Sequence, residues 1–295
     1  MYQGERDDMS KPADAAYHWN GAALDLDAYL TRIGYTGPRT PTLAVLRELV
    51  AAHTTAVPFE NLEAVLGRPV PLDLESLQDK LIRRRRGGYC YENVTVFAAA
   101  LERFGFGVTG LSGRVTMGSG GLRPATHALL RITVSDDDRA WLADVGFGAG
   151  PSEPYPLVDR PDEFTLGGWR FRLERTRGEL GGDQWVLYQF ASAGWVDRYT
   201  FTLEPQYRID YEVGNHFVST SPRSPFTQRP FVQRFLPGVH HTLDGRTLTT
   251  EYPDGTSVSR ELELAELAKV LGEVFDIDIP DEDAEALIAA PWATR

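Results

Sequence analysis

The feature that most restricts the fold of this chain is a change of hydrophobic period at Gly107. Before this residue, apolar side chains recur at the spacing of one face of an α-helix. After it, apolar and polar residues alternate, as in residues 169–174, 184–190 and 195–203. The sequence therefore predicts a group of helices followed by an antiparallel sheet or barrel.

Four helices are predicted in the first region. Asp25, Thr40 and Asp73 are the candidate N-caps of the first three, because each precedes an apolar stripe and has a side-chain oxygen. The fourth helix carries Cys90 in its first turn and ends at Gly105.

The last region, after residue 210, has a mixed pattern. It contains a polar loop bounded by aromatic residues at 217–226 and a hairpin at 247–262. Two helices are predicted at 263–275 and 281–290. The whole chain is therefore predicted to be of the α+β class.

Composition excludes several classes of protein. With 295 residues, of which 42% are hydrophobic, the chain can bury a sizeable core. Its single cysteine excludes an intramolecular disulfide and a cysteine-based zinc site, and we predict no metal. A net charge of -12 argues against a nucleic-acid partner. The four arginines at 83–86 are a local exception, interpreted as a solvated helix end.

The sequence gives no sign of a membrane segment. No stretch approaches 18 consecutive apolar residues, which a spanning helix requires. Residues 1–17 are polar and lack an apolar region, so we expect a frayed start and not a signal peptide. The expected location is the cytoplasm.

Cys90 is the candidate nucleophile. The first turn of a helix presents unpaired N–H groups and the positive end of the helix dipole, which favour a thiolate over a thiol. The thiolate is the reactive form of cysteine in catalysis. The competing interpretation is that Cys90 is a small buried hydrophobe, which is common for free cysteines.

His127 and Asp144 are the candidate partners of Cys90. They lie on two predicted strands joined by a turn at 135–138. If the hairpin folds about residues 135 and 136, the two side chains are directly opposite, with Cβ atoms about 4.5–5.5 Å apart. Asp144 interrupts an apolar strand, where a carboxylate without a partner is costly. A purely structural hydrogen-bonded pair remains an alternative, and the Cys-His-Asp order is similar to that of thiol proteases.

Five segments together resemble the arylamine N-acetyltransferase family. Residues 53–62 are similar to the motif H-x-x-x-[IV]-P-F-E-N-L, and residues 86–92 to the motif that holds the nucleophile. Thr126-His127, residues 143–148 and the Ser/Thr-rich loop at 219–226 match further family segments in the same order. The combination is specific, although each segment alone is not.

The resemblance implies a fold of three parts. These are an N-terminal helical bundle at 1–106, a central antiparallel β-barrel at 107–210, and a C-terminal α/β lid at 211–295. It also implies a cysteine-protease-like arrangement in which Cys90 is the nucleophile, His127 the base and Asp144 the group that orients it.

The resemblance further implies a substrate pair and its contacts. Acetyl-CoA is the acyl donor, and a small arylamine or hydrazine is the acceptor, as in xenobiotic metabolism. Phe59 and Phe147 would line the acceptor pocket. The residues expected near coenzyme A are Thr126, Gly146, Ser219 and Thr220.

One residue departs from the family pattern. The family usually has asparagine four residues after the cysteine, whereas this chain has Val94 there and Asn93 one position earlier. A hydrogen bond near the site is therefore lost or supplied differently. An amide synthase that closes a macrolactam from a carrier-bound acyl chain stays an alternative. A cysteine hydrolase and a non-catalytic CoA-binding module are the two remaining alternatives.

Overall fold

The computed structural model describes residues 19–119, 121–192 and 194–294 of the chain. Over these ranges the chain has a mixed α/β architecture, in which helices pack against two antiparallel sheets. The predicted frayed start at residues 1–17 lies outside the described residues.

The first region is helical, as its period predicted. It contains α1 (Leu26–Ile33), α2 (Leu43–Ala56), a two-residue strand β1 (Phe59–Glu60), α3 (Leu62–Val65), α4 (Leu74–Leu77) and α5 (Cys90–Phe104). A π-helical segment, Gln78–Arg83, continues α4, and a short 3-10 helix, Gly21–Ala23, precedes α1.

Two of the three predicted helix caps are confirmed, and one is wrong. Asp25 accepts a hydrogen bond from the backbone N–H of Ala28 at 3.0 Å, and Asp73 caps α4 in the same way. The second helix is capped by Thr42 and not by Thr40, because the Thr42 hydroxyl oxygen accepts a hydrogen bond from the backbone N–H of Val45. The segment around Thr40 forms a turn before the helix.

The region after Gly107 forms an eight-stranded antiparallel sheet. Its strands are β2 (Gly107–Val115), β3 (His127–Thr133), β4 (Ala140–Ala143), β5 (Tyr155–Pro156), β6 (Arg160–Leu166), β7 (Trp169–Arg177), β8 (Asp183–Ala191) and β9 (Gly194–Phe201). They pair in the order β5-β4-β3-β2-β9-β8-β7-β6. The Tyr155 ring on one edge stacks on the Phe164 ring on the other, with centroids 5.6 Å apart. The sheet is therefore curled, with its two edges brought together by side chains.

The last region contains helices and a second sheet. Its elements are α6 (Arg208–Thr220), β10 (Phe231–Leu236), β11 (Val239–Asp244), β12 (Thr247–Glu251), β13 (Ser257–Glu261), α7 (Leu267–Phe275) and α8 (Asp281–Ala289). Short 3-10 helices occupy Pro225–Thr227, Leu264–Glu266 and Pro291–Thr294. The sheet order is β1-β10-β11-β12-β13. Strands β12 and β13 confirm the predicted hairpin, whereas β1 joins this sheet from the N-terminal region.

The sequence analysis did not predict helix α6. It predicted a loop at 217–226, but the first residues of that segment form the last turn of α6. The buried face of this helix consists of Tyr211, Asn215, Val218 and Ser219. Half of these side chains are polar, so the segment lacks the apolar stripe by which a helix is recognised.

The core is continuous across α5 and β3. Residues Ala128, Leu130 and Ile132 of β3 face the helices, where they join one hydrophobic cluster with α5. Leu129 faces the other way, into the interior of the curled sheet. Because α5 packs directly on β3, the start of the helix and the start of the strand lie next to each other.

Two predictions concern the whole chain, namely the absence of a membrane segment and the positions of the domain boundaries. No helix among the described residues is both long and apolar enough to cross a membrane. The boundaries at residues 106/107 and 210/211 stay a prediction, although the type of secondary structure changes close to both.

Truncation of Phe97 tests the importance of the contact between α5 and the helices. Phe97 is fully buried, and its ring centroid lies 5.2 Å from that of His53. We expect Phe97→Ala to lower the free energy of unfolding by about 3–5 kcal/mol, because a large cavity is left. Urea unfolding measures this loss. Val258→Ala, at a side chain that is 67% exposed, is the control and should change the value by less than about 0.5 kcal/mol. Equal effects of the two changes would contradict the packing described.

Candidate active site

Cys90 is the first residue of α5, as predicted. It is 4% exposed, and Tyr89 precedes it as the N-cap residue. The carboxylate of Glu92 accepts a hydrogen bond from the backbone N–H of Tyr89 at 3.1 Å, which fixes the entry into the helix. The cysteine therefore lies at the positive end of the helix dipole.

His127 and Asp144 form a buried hydrogen-bonded pair. Nε2 of His127 lies 2.8 Å from Oδ2 of Asp144, and the two residues are 3% and 2% exposed. The other carboxylate oxygen accepts from the backbone N–H of Gly146 at 3.2 Å. Asp144 is thus held in one orientation from two sides.

The predicted register of this hairpin is wrong by two residues. Leu130 pairs with Ala143, so the turn is centred between Asp136 and Asp137. Strand β4 ends at Ala143, and Asp144 lies just beyond it. The side chains of Asp144 and His127 still meet, because a carboxylate one residue past the strand end reaches diagonally to the start of β3.

Cys90 also forms a hydrogen bond with the imidazole of His127. Because Asp144 occupies Nε2, the ring nitrogen left for the thiol is Nδ1. Burial would lower the pKa of His127, but the charge and hydrogen bond of Asp144, together with the Cys90 side chain, raise it to about 10. Sγ of Cys90 also lies 3.6 Å from the carbonyl oxygen of Thr126. The structure therefore brings Cys90, His127 and Asp144 together.

Gly146 is required by the close approach of two backbones. A Cβ atom at this position would lie 2.7 Å from Cα of Cys90, closer than real Cβ contacts. The absence of a side chain lets the segment after Asp144 pass against the start of α5. This contact places the carboxylate and the nucleophile on adjacent segments.

Asn93 supplies the hydrogen bonds that Val94 cannot make. Its Nδ2 donates to the carbonyl of Gly88 at 2.6 Å, and its Oδ1 accepts from Nε2 of His53 at 3.1 Å. The Tyr29 hydroxyl then donates to Nδ1 of His53 at 2.8 Å. Burial lowers the pKa of His53 to about 4, which keeps this ring neutral. The residue next to the unusual valine thus ties the glycine pair to the helical bundle.

The prediction for the arginine run at 83–86 is wrong at one position. Arg83, Arg84 and Arg85 are exposed, but Arg86 is 2% exposed. Its guanidinium donates to Glu60 at 2.8 Å. The sequence could not identify Glu60 as this partner, because Glu60 lies on a two-residue strand, which is too short to show a periodic pattern.

A cavity of about 360 Å³ opens next to these residues. Its walls include the predicted residues Phe59, Cys90, Thr126, His127, Gly146 and Phe147. Ser219 and Thr220 are not brought to it. Their hydroxyls donate back to carbonyls of α6, at Asn215 and His216. The neighbouring residues Phe217 and Val218 line the cavity in their place.

Several cavity residues were missed by the sequence analysis. Phe226 and Phe231 add rings that contact Phe59, at centroid distances of 5.5 and 6.0 Å. Phe226 is the aromatic residue that closes the 217–226 segment, so its position was noted but not its role. Arg198 also lines the cavity, and no sequence signal indicated it. Among the described residues there is no cluster of three or more groups suited to a metal ion.

Comparison with known proteins defines the class of protein first. A family profile described as N-acetyltransferase matches residues 42–284 of this chain. The arylamine N-acetyltransferase of Mycolicibacterium smegmatis is 38% identical over 275 residues, which cover 90% of this chain and 98% of that protein.

Solved structures make the assignment more specific. The crystal structure of Nocardia farcinica arylamine N-acetyltransferase is 70% identical with a TM-score of 0.94, covering 96% of this chain and all of that one. Mycobacterium marinum arylamine N-acetyltransferase in complex with CoA is 35% identical with a TM-score of 0.82, covering 90% and 98% of the two chains. The chain belongs to the arylamine N-acetyltransferase family and is an acyltransferase, which confirms the resemblance found in its motifs.

The His127 pair predicts a pH dependence of stability. A histidine whose pKa rises on folding from 6.5 to about 10 stabilises the native state. The whole of this stabilisation is present at pH values below the unfolded-state pKa. This contribution is lost as the pH rises toward about 10. We therefore expect the free energy of unfolding to fall between pH 6.5 and 10 by more in the parent than in His127→Gln. Urea unfolding at several pH values measures both slopes, and identical slopes would contradict the assigned pKa.

Proposed function

We propose that this chain transfers the acetyl group of acetyl-CoA to arylamines or hydrazines through an acetyl-Cys90 intermediate. The observation that carries the proposal is the 2.8 Å hydrogen bond between His127 and Asp144, together with the hydrogen bond between His127 and Cys90. This is the geometry of a nucleophile, a base and an orienting carboxylate.

The first half-reaction acetylates the cysteine. With the pKa of His127 raised to about 10, the imidazole holds a proton at neutral pH. The attacking form of a cysteine is the thiolate. Acetyl-CoA supplies an acetyl group activated as a thioester. Sγ of Cys90 attacks its carbonyl carbon, and backbone N–H groups near the start of α5 stabilise the oxyanion. The bond from that carbon to the sulfur of coenzyme A then breaks, and His127 gives its proton to the departing thiolate.

The second half-reaction transfers the acetyl group to the amine. The amine nitrogen attacks the carbonyl carbon of acetyl-Cys90, the bond from that carbon to Sγ breaks, and His127 accepts the proton of the amine. Asp144 holds the imidazole so that the same nitrogen serves both half-reactions. The Phe59 and Phe147 rings, which are 6% and 8% exposed, form apolar walls for an aromatic acceptor.

The charges around the cavity support coenzyme A as the carrier of the acetyl group. Arg123 and Arg223 line it and are exposed, so their charges suit the phosphates of the donor. Thr126 and Gly146 lie beside Cys90, where the thioester end would be held. The M. marinum relative described above is in complex with CoA, which supports this donor. Metabolism of foreign aromatic amines in the cytoplasm is the corresponding proposed role.

Initial-rate kinetics of the parent and of Asp144→Asn test the proposal. When both substrates are varied, reciprocal plots should be parallel, because CoA leaves before the amine reacts. Asp144→Asn should lower kcat/KM by about 10²- to 10⁴-fold, because an amide no longer orients or stabilises the imidazolium. Intersecting plots would refute the two-step route.

The matched control for this experiment is Asp138→Asn. Asp138 is exposed in the turn of the same hairpin, so the change should leave kcat/KM close to the parent value. Replacing acetyl-CoA by a long-chain acyl thioester on a carrier distinguishes the amide synthase. Faster acylation by that donor would favour the synthase over the proposed acetyltransferase.

A further inference from the structure

Arg198 is a charged wall of the cavity that the proposed mechanism does not use. It lines the same cavity as Cys90 and His127. Its guanidinium carbon lies 5.4 Å from the centre of the Phe147 ring, and that ring centre is 5.2 Å from the centre of the His127 ring. The Phe147 ring therefore contacts both the guanidinium of Arg198 and the imidazole of His127.

A β-bulge directs this side chain. Leu187 of β8 pairs with Tyr199, while the next residue, Tyr188, pairs with Asp197, so Arg198 is the extra residue of β9. Its carbonyl accepts hydrogen bonds from the backbone N–H groups of Thr116 and Met117 at 3.0 and 3.3 Å. Bulges often re-aim a side chain beside a functional site. Here the bulge turns an arginine toward the wall occupied by Phe147.

Nε of Arg198 lacks a hydrogen-bond partner in the described part of the chain. This atom is buried, and the guanidinium packs over the Phe147 ring. Burial lowers the pKa of Arg198 to about 10, and the charge of Glu251 opposes this only in part. That carboxylate is engaged with Nδ1 of His240 at 3.2 Å.

A second arginine of the cavity differs from Arg198 because its charge is paired. Arg229 lines the same cavity and forms an ion pair with Asp244 through two of its nitrogens. Arg198 is half-buried, and a cation withdrawn from water without such a partner is costly unless a ligand brings the missing anion. The open donors of Arg198 therefore indicate an anionic group within the space next to Phe147.

We infer that Arg198 selects acceptors in which a carboxylate lies on the aromatic ring opposite the amine. The inference rests on the proposed function, because the acceptor must present its amine to acetyl-Cys90. With the amine at Cys90, the acceptor ring packs along Phe147 and places its carboxylate at the guanidinium. An arginine fork binds a carboxylate with two parallel hydrogen bonds.

The same reasoning gives the direction of selectivity. A neutral acceptor of the same size leaves the guanidinium unpaired, and sites with an unpaired buried polar group discriminate strongly against such ligands. A charged hydrogen bond of this kind corresponds to about a 10- to 100-fold preference. The phosphates of coenzyme A are a second source of anionic oxygen. The experiment below distinguishes them from the carboxylate of the acceptor.

The test compares 4-aminobenzoate with 4-aminobenzamide, which replaces the carboxylate by a neutral group of similar shape. The ratio of their kcat/KM values is measured at saturating acetyl-CoA for the parent, Arg198→Gln and Arg177→Gln. Arg177 is an exposed arginine at the end of β7 and serves as the matched control. A ratio cancels any general loss of activity that a substitution causes.

We expect the ratio to fall about 10- to 100-fold in Arg198→Gln and to stay at the parent value in Arg177→Gln. Arg198→Lys, which keeps the charge but not the fork, should lie between the two. An unchanged ratio in Arg198→Gln would overturn the inference. A rise confined to the KM of acetyl-CoA would also overturn it, since the arginine would then serve the donor.

Binding without turnover separates this inference from the proposed function. Calorimetry measures the Kd of 4-aminobenzoate in the absence of acetyl-CoA. Weaker binding to Arg198→Gln than to the parent supports the carboxylate site even if Cys90 is never acetylated. If Cys90 is acetylated and 4-aminobenzoate binds the parent and Arg198→Gln equally, the inference fails while the proposed function stands.

Discussion

The buried carboxylate of Glu60 connects the parts from which the site is assembled. It accepts hydrogen bonds from Arg86 at 2.8 and 3.1 Å and lies 3.5 Å from the ammonium of Lys80. The backbone N–H of Glu60 donates to the carbonyl of Gly88, just before the nucleophile, and Glu60 pairs with Val232 of the second sheet. Burial would raise the pKa of Glu60, but the charges of Arg86 and Lys80 hold it below its ordinary value. Loss of Arg86 would leave the buried carboxylate with Lys80 as its remaining charged partner, and breaking a buried ion pair generally costs about 3–5 kcal/mol.

The functional side chains lie where regular structure begins, ends or is interrupted. Cys90 starts α5, His127 starts β3, Asp144 follows β4, and Arg198 occupies a bulge. At such positions a side chain can point away from the face that packing imposes on its element. The rigid contact of α5 with β3 then supplies the precision that a hydrogen-bonded set of catalytic groups needs.

The sequence predicted the elements better than their contacts. Hydrophobic period placed α5 and the strands after Gly107, because burial of one face repeats along each element. The hairpin and the carboxylate of Asp144 in an apolar strand indicated the grouping of Cys90 with two partners, and the resemblance in motifs strengthened it. Register, the polar face of α6 and the ion pair of Arg86 depend on residues distant in sequence. Nothing in the local pattern distinguishes Arg198 from other strand arginines, because a bulge is set by the pairing of two strands.

The central claim is that Cys90 carries the acetyl group, and intact-protein mass spectrometry tests it most directly. The parent and Cys90→Ala are mixed with acetyl-CoA without an amine. We predict that the parent gains the mass of one acetyl group, that an added arylamine removes it, and that Cys90→Ala gains none. A parent that keeps its original mass while binding CoA would contradict the claim, as would equal acetylation of Cys90→Ala.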